Sequence, residues 1–209
     1  MDDELDFLWS IITTFEEFEV IAYLIVSNED SESTWYLTPK TRDNQRDAEG
    51  YSYKGINFYE AKFLSSPSKK LQLTRIGTNI LIAICSHAKK VYIFTNGNLA
   101  RNIINFQNNQ NSIAGTEIIF YDRKQTSIAL IRYSSLNIWQ SVIQLDYIKY
   151  RTLSKEKLDL YKEIAQTKAR NIISKIVEFK EKNKDSFYLN PTIENYRKIA
   201  NKKLLQEIN

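Results

Sequence analysis

The run "RDAEGYSYKGINFYEAKFL", residues 46–64, limits this chain more than any other stretch. It holds two β-rich segments, about 47–53 and 56–63, joined by Lys54-Gly55, and a two-residue link containing Gly signals a hairpin. The second segment is aromatic and apolar until it reaches Glu60-Ala61-Lys62. Residues two apart on a strand share a face, so Glu60 and Lys62 point the same way. Burying such charges is costly unless they are paired or used. With Lys54-Gly55 as the turn, Tyr51 faces Phe58, Glu49 faces Glu60 and Asp47 faces Lys62. Asp47, Glu49, Glu60 and Lys62 then cluster on one side of the hairpin. Like charges directly opposite each other destabilise a purely structural hairpin. A divalent cation among the carboxylates resolves the conflict, and oxygen-only ligands suit Mg²⁺. A neighbouring ammonium would orient a metal-bound water and stabilise developing charge, as phosphodiester hydrolysis requires.

The string itself carries little, because an acid two residues before a lysine also occurs at Asp122-Arg123-Lys124 and Glu178-Phe179-Lys180. Glu178 and Lys180 fall in a helical pattern, where residues two apart diverge. Asp122 and Lys124 fall where a strand ends in a polar turn.

The surrounding pattern is mixed. Apolar spacing predicts a helix over about 3–27, a short strand at 34–38 stopped by Pro39, and then the hairpin. Ser66 as N-cap and Pro67 at the first helical position predict a helix to about Ala88. Strands are expected at 91–95 and 116–122, with Asn96-Gly97-Asn98 leading into a helix to about 108. The stretch 126–148 is ambiguous, with helix slightly favoured. A long amphipathic helix is expected over about 154–182 and another over 193–208. The fold class is α/β. The expected domains are residues 1–150 and a basic helical extension, 151–209.

Residues 1–34 carry ten acids and no Lys or Arg, whereas 35–149 carry fifteen bases against seven acids and 150–209 fourteen against eight. Beyond the first helix the chain is cationic, which suits a polyanionic partner or a lysine-rich solvated surface equally. One cysteine, Cys85, excludes an intrachain disulfide, is read as a core residue and fits a cytoplasmic location. No apolar run has membrane-spanning length, so no membrane partner is expected. One histidine, His87, excludes mechanisms needing two and is read as a surface or core residue late in its helix. No Walker-type phosphate loop is present.

Together these segments resemble the PD-(D/E)xK, restriction-endonuclease-like nucleases, most nearly the Mrr-type branch. "FEEFEVIAYL" (15–24) resembles the family's first helix, with Glu19 as its carboxylate and Glu16 as the alternative. "QRDAEGY" (45–51) resembles the strand carrying the metal-binding acid, Asp47. "YEAKF" (59–63) supplies Glu60 and Lys62, and "VYIFTNGNLARNII" (91–104) resembles the later strand and turn. Arg46 stands where the family's name has proline, and Gln72 matches a glutamine that some branches place near the site. The likeness covers about residues 10–121.

It implies an αβββαβ core with a mixed central sheet, followed here by the helical C-terminal extension. It also implies a Mg²⁺- (or Mn²⁺-) dependent endonuclease acting on double-stranded DNA in bacterial defence or restriction. Asp47, Glu60, the Ala61 carbonyl and Glu19 would hold metal, and Lys62 would position the attacking water. Lys69, Lys70 and Arg75 would contact phosphates. A homo-oligomer is expected where both strands are cut, with the C-terminal helices available to DNA, a second copy or a partner protein. The alternative is a catalytically inactive restriction-like module that binds nucleic acid or protein.

Overall fold

Thr14 divides the first apolar stretch into two helices, α1 (Asp2–Ile11) and α2 (Phe15–Glu29). Its hydroxyl accepts the Glu17 amide, and the Glu17 carboxylate reaches back to the Thr13 and Thr14 amides at 2.8 and 3.0 Å. This is a capping box, which satisfies amide donors that a helix start leaves open. Burial alone would raise the Glu17 carboxyl, but the Thr13 and Thr14 amides and hydroxyls outweigh it and hold the group below its ordinary 4.5. A depressed folded value means that the stabilisation is complete above the unfolded pKa and is lost as pH falls through the folded one. Thr14→Ala should therefore cost about 1 kcal/mol at neutral pH. Chemical denaturation should show that penalty shrinking below the ordinary Glu17 value.

The computed structural model describes residues 2–39, 46–66, 68–109, 112–133, 138–149 and 153–182. Among the described residues, eight strands follow α2: β1 (Thr34–Leu37), β2 (Ala48–Ser52), β3 (Gly55–Lys62), β4 (Lys70–Leu71), β5 (Lys90–Thr95), β6 (Asn98–Leu99), β7 (Ser112–Ile113) and β8 (Thr116–Tyr121). Helix α3 (Gly77–Cys85) precedes β5, and α4 (Arg101–Asn109) follows β6. Three more, α5 (Arg123–Tyr133), α6 (Ile138–Gln144) and α7 (Lys155–Lys182), follow β8. The main sheet has six strands in the order β1-β2-β3-β5-β8-β7. β1, β2 and β3 are antiparallel neighbours, while β3, β5 and β8 run parallel. The fold is thus α/β with a mixed central sheet and C-terminal helices. The backbone of Asp146–Ile148 lies along the β1 edge, with Leu37 donating to the Asp146 carbonyl at 2.8 Å and Ile148 to that of Leu37 at 2.9 Å. That segment covers an edge strand that would otherwise expose unpaired backbone.

Strand alternation sends Tyr59, Ala61, Tyr92 and Phe94 into one core and Phe58, Val91, Ile93 and Phe120 into the other. The first core is closed by α1, α2, α5, α6 and α7, and the second by α3 and α4. Ala165, Ala169, Ile172, Ile173 and Ile176 of α7 are buried in the same cluster as α2. Residues 193–208, expected to be helical, lie outside the described residues.

Several expectations change. The stretch after Ser66 is not one long helix: Lys70–Leu71 pairs in parallel with Asn98–Leu99, a 3-10 turn occupies Leu73–Arg75, and α3 starts only at Gly77. Cys85 is exposed at the end of α3 and not in the core. His87 is exposed with φ 54°, the left-handed residue that stops the helix.

Candidate metal centre on the β2–β3 hairpin

The hairpin forms, but in a different register. Tyr51 pairs with Ile56 and Glu49 with Phe58, so the turn is Tyr53-Lys54 and Gly55, at φ 134°, opens β3 opposite Ser52. A left-handed φ of this kind suits glycine, so the Gly marks the strand start rather than the turn. The shift is two residues, which preserves parity, so the charged residues keep the expected face. Glu49 and Glu60 become diagonal neighbours instead of a direct like-charge pair. Glu49 is also neutralised locally. Both the Nε and the Nη2 of Arg46 lie 2.5 Å from its Oε1, and the Tyr51 hydroxyl donates to its Oε2. The Arg46 guanidinium lies over the Phe58 ring at 4.3 Å. Glu49 is therefore a structural carboxylate.

Asp47 is held between two strands. Its amide donates to the Tyr59 carbonyl at 3.0 Å, and its carbonyl accepts the Thr38 amide at 2.9 Å. Its Oδ2 accepts the Ala61 amide at 2.6 Å. The carboxylate thereby takes the ladder position that β2 vacates. A strand residue points its N–H and C=O toward the same neighbour, so the Ala61 carbonyl also faces the Asp47 side. Glu60 is buried, with its side chain 8 % exposed, and forms an ion pair with Lys62, whose side chain is 28 % exposed.

Glu19 approaches on α2, where its carbonyl accepts the Tyr59 hydroxyl at 3.0 Å. Burial first, then the charges of Asp47 and Glu19, push the Tyr59 phenol well above its ordinary value. Among the described residues, no three or more Asp, Glu, His or Cys side chains gather as a metal site, so Asp47, Glu60 and Glu19 do not form one closed cage. Of the expected oxygen ligands, the structure ties Asp47 to Ala61 through the amide hydrogen bond, and places Glu60 beside Ala61 on β3, paired with Lys62. This hard-oxygen set fits Mg²⁺, which keeps several waters and takes phosphate oxygens as further ligands.

Lys69 and Lys70 lie beside Gly97 and Asn98, just past the C-terminal end of β5, where Thr95 pairs with Lys62. The Asn96 side chain grips the Leu64 backbone, accepting its amide at 2.5 Å and donating to its carbonyl at 2.9 Å. A Cβ at Gly97 would meet the Lys69 carbonyl oxygen at 2.5 Å, so only glycine lets this segment approach the turn. Lys70 opens β4 and Lys69 lies in the bend just before it, both exposed, with Lys69 donating to Ser65 Oγ at 2.7 Å. Arg75 ends the 3-10 turn, and Gln72 precedes it, both exposed.

Two features went unread in the sequence. Arg123, at the start of α5, sits over the Trp9 ring at 4.7 Å and reaches the Asn96 carbonyl at 3.4 Å. A cavity of about 230 Å³ between α2, β1 and α7 brings Glu16 and Glu19 together with Tyr147 and Tyr161. Its walls come from segments more than a hundred residues apart, and no local signal marks them. No helix among the described residues is long and apolar enough to cross a membrane.

No protein-family model and no curated protein matches the chain. A crystal structure of AF1548, a protein of unknown function, is similar over 80 % of this chain and 97 % of its own, at 15 % identity and a TM-score of 0.37. A likeness that low carries no argument about function.

Proposed function

We propose that the chain is a Mg²⁺-dependent nuclease with a restriction-endonuclease-like core, hydrolysing phosphodiester bonds in DNA as a bacterial defence or restriction effector. The observation that carries the reading is the 2.6 Å hydrogen bond from the Ala61 amide to Asp47 Oδ2, which ties the acid of one strand to the Glu60-Ala61-Lys62 segment of the next. The order of antiparallel β1-β2-β3 followed by parallel β5 supports the same reading.

In this site Asp47, Glu60 and the Ala61 carbonyl would hold the metal, with Glu19 supporting from α2. When bound, Mg²⁺ lowers the pKa of a water and neutralises charge on the phosphate. Glu60 holds the Lys62 ammonium at the strand end, where Lys62 orients the attacking water and stabilises the developing negative charge. Lys69 and Lys70 neutralise phosphates on either side of the scissile bond, and Arg75 extends that contact; such contacts position the nucleic acid without reading its sequence. Two copies would cut both strands of a duplex.

A second reading, a restriction-like binding module without turnover, is favoured by the Glu60–Lys62 ion pair, which sets one charge against the other without a metal. One panel separates the two: supercoiled plasmid and short single- and double-stranded DNA and RNA, each with Mg²⁺, Mn²⁺ or EDTA. The nuclease reading expects cleavage of DNA with either metal and none with EDTA. Retention of DNA without cleavage assigns the binding module, and EDTA-resistant cleavage removes the metal mechanism.

A further inference from the structure

Apart from Glu19, the cavity beside the candidate centre is lined by residues that the cleavage mechanism does not use. Its lining includes Glu16 and Glu19 from α2, Tyr161 and Lys168 from α7, and Thr38 and Tyr147 from the β1 edge. The two rings meet at 5.9 Å between centroids. The exposed surface inside is mainly apolar. Two links tie the cavity to the hairpin. Thr38 donates its amide to the Asp47 carbonyl, and the Glu19 carbonyl accepts the Tyr59 hydroxyl.

We propose that this cavity receives one unpaired nucleobase carrying an exocyclic amine, next to the phosphate that is cut, so that the preferred substrate is DNA with an extruded, mismatched or single-stranded nucleotide at the cleavage site. The proposal rests on the nuclease reading and deepens it. Three physical arguments select this ligand.

The volume is about 230 Å³, below the ~300–1,000 Å³ of pockets for drug-sized ligands, so one ring system fits and a whole dinucleotide does not. Aromatic side chains on an apolar floor stack any base, at ~1–3 kcal/mol per base. The Glu16 and Glu19 carboxylates in the lining accept N–H bonds and, among the described residues, outnumber its one cation, Lys168. Each carboxylate has acceptor capacity for more than one donor, so an existing partner leaves room for an amine. Adenine, cytosine and guanine present such an amine, whereas thymine presents carbonyl oxygens there. In a duplex those edges are paired, so a base reaches the cavity only when it leaves the stack, which is cheapest at a mismatch or in a single strand.

The test uses the full chain in EDTA, where no cleavage occurs. Binding of dAMP, dCMP, dGMP, dTMP and deoxyribose 5-phosphate is measured by saturation-transfer NMR and titration. The three amine-bearing nucleotides should bind at least fivefold more tightly than dTMP, and the abasic sugar phosphate should not compete. Tyr161→Leu should weaken dAMP binding about tenfold, and Glu16→Gln should erase the preference over dTMP, with the melting temperature followed for both. If Tyr161→Leu does not fold, Glu16→Gln alone decides. Absence of nucleotide binding, equal binding of dTMP, competition by the sugar phosphate, or indifference to Glu16→Gln would each overturn the proposal. Because the readout needs neither metal nor cleavage, nucleotide binding by a protein that fails to cut plasmid would remove the nuclease reading and leave the cavity assignment standing.

Discussion

Lys62→Met should lower Mg²⁺-dependent DNA cleavage by about 10²–10³-fold, the usual cost of removing one preorganised charge from a reacting centre. The same substitution disturbs the fold, because it leaves the Glu60 carboxylate, 8 % exposed, without its ammonium. Breaking a fully buried pair costs about 3–5 kcal/mol. The Lys62 side chain is 28 % exposed, so solvent screening reduces the expected loss to about 1–3 kcal/mol. The two effects separate in the double variant Glu60→Gln/Lys62→Met. Removing both charges together is expected to recover most of the stability, since a buried pair replaced by uncharged groups of similar volume is often close to neutral. Cleavage should not recover, because the metal loses a carboxylate and the water loses its ammonium. Thermal melts beside plasmid cleavage make the comparison. Wild-type cleavage by the double variant would show that the pair is purely structural.

Ile173→Ala should remove about 2–5 kcal/mol from the stability of the whole chain. Ile173 is fully buried in α7, inside the cluster that also contains Phe18, Ile21 and Ile25 of α2. The helix therefore shares the core of the sheet's α2 face, and Phe179 near its end stacks on Phe7 of α1 at 4.0 Å. Loss of a packed isoleucine at such a junction should shift a single cooperative denaturant transition, with the midpoint moving and the slope constant. A separate early transition in the variant, with the main one unmoved, would instead place α7 in a unit that folds independently of the sheet.

What the sequence discloses follows the range of each signal. Strand alternation and Gly55 mark the hairpin locally, and the shared face of Glu60 and Lys62 survives because the register error is even. The register is not legible locally, because Tyr53-Lys54 and Lys54-Gly55 both make two-residue turns; only the positive φ of Gly55 at the strand start decides between them. Thr14-Phe15-Glu16-Glu17 is a legible capping box, yet apolar residues continue in helical spacing across it and mask the break. Ser66-Pro67 is a fair helix-start signal that loses to a pairing between Lys70–Leu71 and Asn98–Leu99, made across nearly thirty residues. The stripe on α7 is visible, but its docking place on α2 is not. The compensation of Glu49 by Arg46 depends on the bend into β2, and the Tyr147–Tyr161 wall on α7 returning to the β1 edge.

The central claim is that Asp47 and the Glu60-Ala61-Lys62 strand form one catalytic metal site. Asp47→Asn tests it most directly, because the amide keeps the side chain's size and its carbonyl oxygen can still accept the Ala61 amide, while the negative charge is lost. Supercoiled plasmid is incubated with wild type and with Asp47→Asn over a Mg²⁺ titration, with melting curves confirming equal folding. The account predicts nicked and linear DNA from the wild type and a loss of at least a hundredfold in the variant. Metal-dependent cleavage that persists unchanged in Asp47→Asn would contradict it.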